Sequence, residues 1–245
     1  MSAVSSVSPG KLSEEIKAYE MAHLTGQDKV LDCSLGILRA SRVLYREPHS
    51  EIAKSLESVA ERLSNLGRYN EALSFFKQTA EMRQELSGMP NVDLARALTN
   101  VGACLGYLGR HKEAKSYDLK ALGMKREVFS PSHPNLACSF NNMGVTLGSL
   151  GQYDEALEYF LDAFEMRKVF FKKPHAEIAS SLYNIGVCLK FLGEYKEALK
   201  HLQEALDMRK ELFGEFHLSV EACLTHMEEI AKLMNEQKPI ETSPI

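Results

Sequence analysis

The chain has 245 residues, 44% hydrophobic and 25% charged, with a net charge of −4; this is ordinary folded composition and excludes a low-complexity or disordered chain. No basic run marks a footprint for nucleic acid or for an anionic membrane surface, and no stretch approaches the roughly 18–20 apolar residues of a membrane span. The five cysteines (Cys33, Cys104, Cys138, Cys188 and Cys223) are widely spaced without a C-x-x-C pair, which predicts reduced, buried thiols in a cytosolic or nuclear compartment; a cytoplasmic location is the expectation.

In chain order, residues 1–10 are polar, lack the apolar core of a signal peptide and read as a flexible tail. Residues 11–48 read as a degenerate first hairpin: Leu24-Thr25-Gly26-Gln27 sits one period before Leu66-Gly67-Arg68-Tyr69, and Pro48 closes the segment. The turn at Leu66 recurs as Leu108-Gly109-Arg110-His111, Leu150-Gly151-Gln152-Tyr153 and Leu192-Gly193-Glu194-Tyr195, each step being 42 residues. Four full units follow from this period, residues 49–90, 91–132, 133–174 and 175–216. Residues 217–236 read as a closing helix with Glu228, Glu229 and Lys232 toward water, and 237–245 as a second flexible tail. The expected domain is a single solenoid over residues 11–236.

Each unit reads as two helices. In the third, Pro134 suits a first helical turn, and Leu136, Phe140, Met143, Leu147 and Leu150 follow helical spacing. Gly151 ends that helix by taking the left-handed conformation. A second helix starts near Asp154, with Ala156, Phe160, Ala163 and Phe170 as its expected buried stripe. Small residues (Ala60, Gly102, Gly144, Gly186) fill one column of the first helix, and Ala72, Ala114, Ala156 and Ala198 fill one of the second. Facing small columns allow close approach within a hairpin. The column Met82, Met124, Met166 and Met208 predicts packing, and the basic residue after each Met is expected in salt bridges on a solvated face. Helical units without strand alternation reject a propeller of similar period.

The small column and Ala156 twelve positions after Gly144 resemble the tetratricopeptide signature. The 42-residue unit is similar to that of kinesin light chains: His133-Pro134-Asn135-Leu136-Ala137, Phe140-Asn141-Asn142-Met143-Gly144, Gly151-Gln152-Tyr153-Asp154-Glu155-Ala156 and Ala205-Leu206-Asp207-Met208-Arg209 carry the likeness. The residues before the repeats lack the long heptad coiled coil of a kinesin light chain, so the expectation is a protein with such repeats and not that protein itself. The resemblance implies an all-α fold, a right-handed superhelical solenoid of stacked antiparallel hairpins, whose first helices line a concave groove for a partner segment.

Carried over to this chain, the groove asparagines are Asn100, Asn142 and Asn184, which can bond a peptide backbone through both donor and acceptor. Asn141, Arg96, Tyr107, Tyr183, Lys190, Phe191, Glu57 and Lys54 are the expected neighbours, with Tyr107, Tyr183 and Phe191 as aromatic anchors. The basic clamp of chaperone-binding relatives is missing, since Glu57, Glu61, Thr99, Ala103 and Ser180 stand at its places. Glu57 and Glu61 beside Arg96 and Lys190 favour a mixed polar and apolar ligand over a strongly acidic one.

Other motifs point away from chemistry. His49, Asn91, His133, His175 and His217 form one column. Repeat starts stack about 8–10 Å or more apart, too far to share zinc at about 2 Å per ligand, so helix capping is expected. No phosphate loop, zincin or nucleophile-elbow motif occurs. The reading is therefore a non-catalytic adaptor without metal or cofactor, binding a protein or peptide, with no nucleic acid and no membrane insertion. The alternative is a structural assembly protein that self-associates through its edges or convex face, and weak homo-oligomers fit either reading.

Overall fold

The computed structural model describes residues 27–87, 91–129, 133–171 and 174–236. Both expected tails and residues 11–26 of the degenerate hairpin lie outside them. Among the described residues there are ten α-helices and no strand. They are α1 (Gln27–Leu44), α2 (Ser50–Asn65), α3 (Tyr69–Ser87), α4 (Val92–Tyr107), α5 (His111–Val128), α6 (Pro134–Ser149), α7 (Tyr153–Phe170), α8 (Ala176–Phe191), α9 (Tyr195–Phe213) and α10 (Leu218–Glu236).

Two compact units divide at Val128. Unit 1 holds α1 to α5. Its hairpins α2–α3 and α4–α5 stack through α3 against α4, and α1 packs on α2. Unit 2 holds α6 to α10. Its hairpins α6–α7 and α8–α9 stack through α7 against α8, and α10 packs on α9 and α8. Each unit is thus all-α, built of stacked helix hairpins as the repeat implies.

The punctuation is local. Gly67, Gly109, Gly151 and Gly193 take φ of 73°, 72°, 75° and 83°, where a side chain would be strained. Each lets the next amide close back on the helix, as in Arg68 N–H to Leu63 O at 2.9 Å and Gln152 N–H to Leu147 O at 3.0 Å. This is the Schellman pattern that satisfies otherwise orphaned carbonyls. At the other end, Nδ1 of His49, His133 and His175 accepts from the N–H two residues on, at 3.1 Å each. His217 does the same at 3.2 Å. Each ring also stacks on the aromatic four residues earlier, namely Tyr45, Phe129, Phe171 and Phe213. Asn91 has Ser87 at that place and caps instead through Oδ1, accepting from Leu94 N–H at 2.7 Å. The histidine column is a set of helix caps.

The small first-helix column makes room for one side chain of the second helix. A Cβ on Gly144 would lie 2.6 Å from the Phe160 ring, and one on Gly186 would lie 2.7 Å from Leu202 Cγ. These contacts seat the hairpin cores, in which Ile52, Leu56, Leu105, Met143, Ile178, Leu182, Ile185 and Leu202 are fully buried.

Three expectations fail. Arg83, Lys125, Arg167 and Arg209 do not lie on a solvated face; all four are buried. Each reaches back 26 residues to the first helix of its own hairpin: Arg83 to Glu57, Lys125 to Thr99, Arg167 to Asn141, and Arg209 over the Tyr183 ring. The three arginines also donate to a carbonyl ten residues on, in the next first helix: Asp93 at 2.6 Å, Glu177 at 3.1 Å and Ser219 at 2.7 Å. A long apolar stem with a donor-rich head can cross the core and bond several helices at once, so burial is feasible where a charge alone predicts water. Phe170 is exposed, because Arg167 takes the last place in the buried stripe of α7. Finally, Cys138 is exposed while Cys33, Cys104, Cys188 and Cys223 are buried; all five are free thiols.

Candidate functional site

The first helices present their outward stripes differently in the two units. In unit 1 the stripe is charged. Lys54 pairs with Glu51 at 2.7 Å, and Arg96 pairs with Asp93 at 3.1 Å and reaches Glu57 at 3.2 Å. Glu57 itself is turned inward: it is buried, and Arg83 holds its Oε2 at 2.5 Å. Burial, with Glu57 close by, pushes the Glu61 carboxyl above its ordinary range. Tyr107 is exposed and stacks on Tyr69 with centroids 4.5 Å apart. Asn100 is half-buried, and its amide has no hydrogen bond among the described residues.

In unit 2 the stripe is mostly uncharged. Phe191 is about half exposed and stacks flat on Tyr153, with centroids 4.7 Å apart and planes at 4°. Beneath this ledge lies an open cleft of about 370 Å³ between the ends of α6 and α8. Gly148, Val145, Val187 and Asn184 line it, with Phe160 and Cys188 on its floor. The Cys188 thiol reaches the Tyr153 carbonyl at 3.1 Å, and burial pushes its pKa up to about 11, so it is a neutral group. Lys190 lies over the Phe191 ring at 4.7 Å. Its ammonium is 2.6 Å from Glu229 and 3.1 Å from His226 Nδ1. The hydrogen bond from Lys190 holds the Glu229 carboxyl below its ordinary range.

The asparagines of unit 2 are not equivalent. Asn141 is half-buried and accepts at Oδ1 from Arg167 Nη1 at 3.5 Å and from Asn184 Nδ2 at 2.9 Å. Asn142 is half-buried and has no hydrogen bond among the described residues. Tyr183 is half-buried under the Arg209 guanidinium, 4.3 Å from its centroid, and burial raises its phenol pKa. Unit 2 thus brings Asn184 and Phe191 into one cleft with Lys190 over the Phe191 ring, leaves Asn142 outside the cleft lining, and sets Asn141 and Tyr183 against the buried cations.

Sequence reasoning missed the cleft and the ledge. A signal for the ledge existed: Tyr69 and Tyr153 are 84 residues apart, as are Tyr107 and Phe191. The pair therefore occurs twice at two periods.

Tetratricopeptide repeat profiles match residues 93–168 and 177–240, and a second such profile matches residues 52–91. The chain belongs to the tetratricopeptide repeat family. Solved structures of similar fold agree. A putative kinesin light chain of Podosopora anserina with nearly identical repeats is 14% identical with a TM-score of 0.69, covering 83% of this chain and 97% of its own. BtubC (BKLC) from P. vanneervenii is 19% identical with a TM-score of 0.66, covering 90% and 97%. Apo RapI is 14% identical with a TM-score of 0.69, covering 90% and 86%. No curated protein matches this chain. At these identities the likeness establishes the tetratricopeptide architecture, with repeats of the kinesin-light-chain kind.

Proposed function

We propose that this tetratricopeptide protein is a non-catalytic adaptor or scaffold of the cytoplasm that holds a segment of a partner protein on its first-helix faces. The observation that carries the reading is the open apolar cleft of unit 2, lined by Asn184 and Phe191; the half-buried Asn142 amide, on the same first helix as the cleft residue Val145, has no partner among the described residues. An amide without a protein partner is available to a bound backbone, which offers both a donor and an acceptor. Asn184, Phe191 and Lys190 complete the face in unit 2; Asn100, Arg96, Lys54 and Tyr107 offer a more charged one in unit 1. Free thiols suit a reducing compartment, and no described helix is long and apolar enough to cross a membrane.

The test is capture of partners from native extract with the wild-type chain and with Asn142→Ala plus Asn184→Ala. Loss of capture at unchanged melting temperature supports the reading; retained capture with lowered melting assigns those amides to the fold.

Self-association is the second reading. Phe216 is fully exposed in the loop after α9, and Leu218 and Val169 are 80% and 76% exposed at helix ends of unit 2. Sedimentation mass that rises with concentration and falls in Phe216→Ser supports it, whereas a strict monomer rejects it.

A further inference from the structure

We propose that the unit 2 cleft is a specificity pocket for one uncharged, bulky apolar side chain of a peptide, and that Asn184 reads the adjacent backbone N–H through its fixed Oδ1. The inference rests on the reading that a partner segment lies on this face, and it names the chemistry of that segment.

The direction of the Asn184 amide follows from the cation beneath it. Arginine carries donors only, so Asn141 must turn its Oδ1 toward Arg167 Nη1. The Asn184 atom 2.9 Å from that same oxygen must then be Nδ2. Asn184 Oδ1 is left without a bond among the described residues, on a side chain that lines the cleft. The orientation of the amide is thereby fixed, with one Nδ2 hydrogen held by Asn141 and Oδ1 offered as an acceptor.

The pocket is open for a reason the fold does not require. Gly144 cannot carry a Cβ, because Phe160 fills its place. Gly148, one turn on, could: a Cβ there would meet nothing within 4 Å. The same column holds Ser64, Gly106 and Lys190, so two of the four repeats carry a side chain at this position. The missing side chain leaves room between Val145, Val187 and Phe191.

Charge selects the occupant. No lining residue of the cleft is charged, and the cation at its rim, Lys190, is already paired with Glu229. An acidic or basic side chain would lose its water there without a partner, whereas an apolar one is favoured by burial.

The experiment is selection of phage-displayed random dodecapeptides on the full chain, followed by affinity measurement on synthetic copies. Peptides are expected to share one Leu-, Ile- or Phe-like residue with uncharged neighbours. Gly148→Leu should weaken them at least tenfold without lowering the melting temperature. N-methylation of a single backbone nitrogen beside the anchor should also weaken them at least tenfold, a readout that needs no protein variant. Peptides that bind Gly148→Leu as well as wild type, a charged consensus, or a selection that yields no cleft-dependent peptide overturns the proposal. Binding lost in Asn142→Ala plus Asn184→Ala but kept in Gly148→Leu rejects only the pocket; binding kept in both rejects the face as well.

Discussion

The same column of buried cations meets different partners in the two units. In unit 1, Arg83 is balanced by a buried carboxylate, Glu57, and Arg96 leans on the same group from the surface. In unit 2, Arg167 pairs directly with the half-exposed Glu177 carboxylate and is also bonded by neutral groups, Ser181 Oγ at 2.6 Å and Asn141. Its Nε is buried with no hydrogen bond among the described residues. One architectural demand, a cation that links successive first helices, is thus met by a buried carboxylate in one place and by a half-exposed carboxylate with neutral groups in another. The consequence reaches the surface. Unit 1 shows a charged stripe, while unit 2 is free to show an apolar cleft with an oriented amide.

The largest expected effect tests that contrast. Glu57→Ala leaves Arg83 buried without its counter-charge and should cost about 3–5 kcal/mol. Asn141→Ala removes one neutral partner and should cost roughly 1–3 kcal/mol. Hydrogen exchange resolved along the chain should localise each loss to its own unit; equal losses would break the comparison.

Within unit 2, Gly144→Val forces the Phe160 ring aside and should cost about 1–3 kcal/mol in urea unfolding. Gly148→Ala should instead gain roughly 0.5–1 kcal/mol, as helix propensity predicts where nothing obstructs a methyl group. A loss at Gly148 would show that the fold, and not the cleft, requires that glycine.

Capping is the next step down. His175→Ala removes an N-cap and should cost about 1 kcal/mol. Loss of the Phe171 stack adds to it. Asn91→Ala, which has no stack to lose, should cost less, and thermal melting of the two variants orders them.

The smallest effect concerns acid. Arg68 and Arg110 bond Glu71 and Glu113 at the hairpin turns of unit 1 and hold both carboxyls below their ordinary range. Their contribution is present above the unfolded glutamate pKa and disappears as pH falls through the lower folded value. The matching places of unit 2 carry Gln152 and Glu194, which offer no such cation. Carboxyl NMR titration should give midpoints below the usual glutamate value for Glu71 and Glu113. These exposed pairs should shift the melting temperature only slightly.

Much of this was legible in one dimension. The turn glycines can be read because a left-handed φ admits few residues, and their recurrence every 42 residues fixes the hairpin. The cap column was legible for the same reason, since first helical turns need an acceptor. The candidate site was less so. Cys138 stands one helical turn before Asn142, so its exposure followed from the stripe once the outward face was known. Glu57 and Tyr183, expected beside a ligand, sit over buried cations because positions 26 residues apart face each other across the hairpin. No local pattern announces that distance.

The sequence by itself determined the period, the two-helix unit and its end signals, because these depend on backbone conformations and spacings within a few residues. Only the tertiary structure decided which charges are buried, which way Asn184 presents its amide and where a missing side chain leaves a cleft. Those are set by groups that meet across helices, where a donor, an acceptor or a methyl group takes its meaning from what stands opposite.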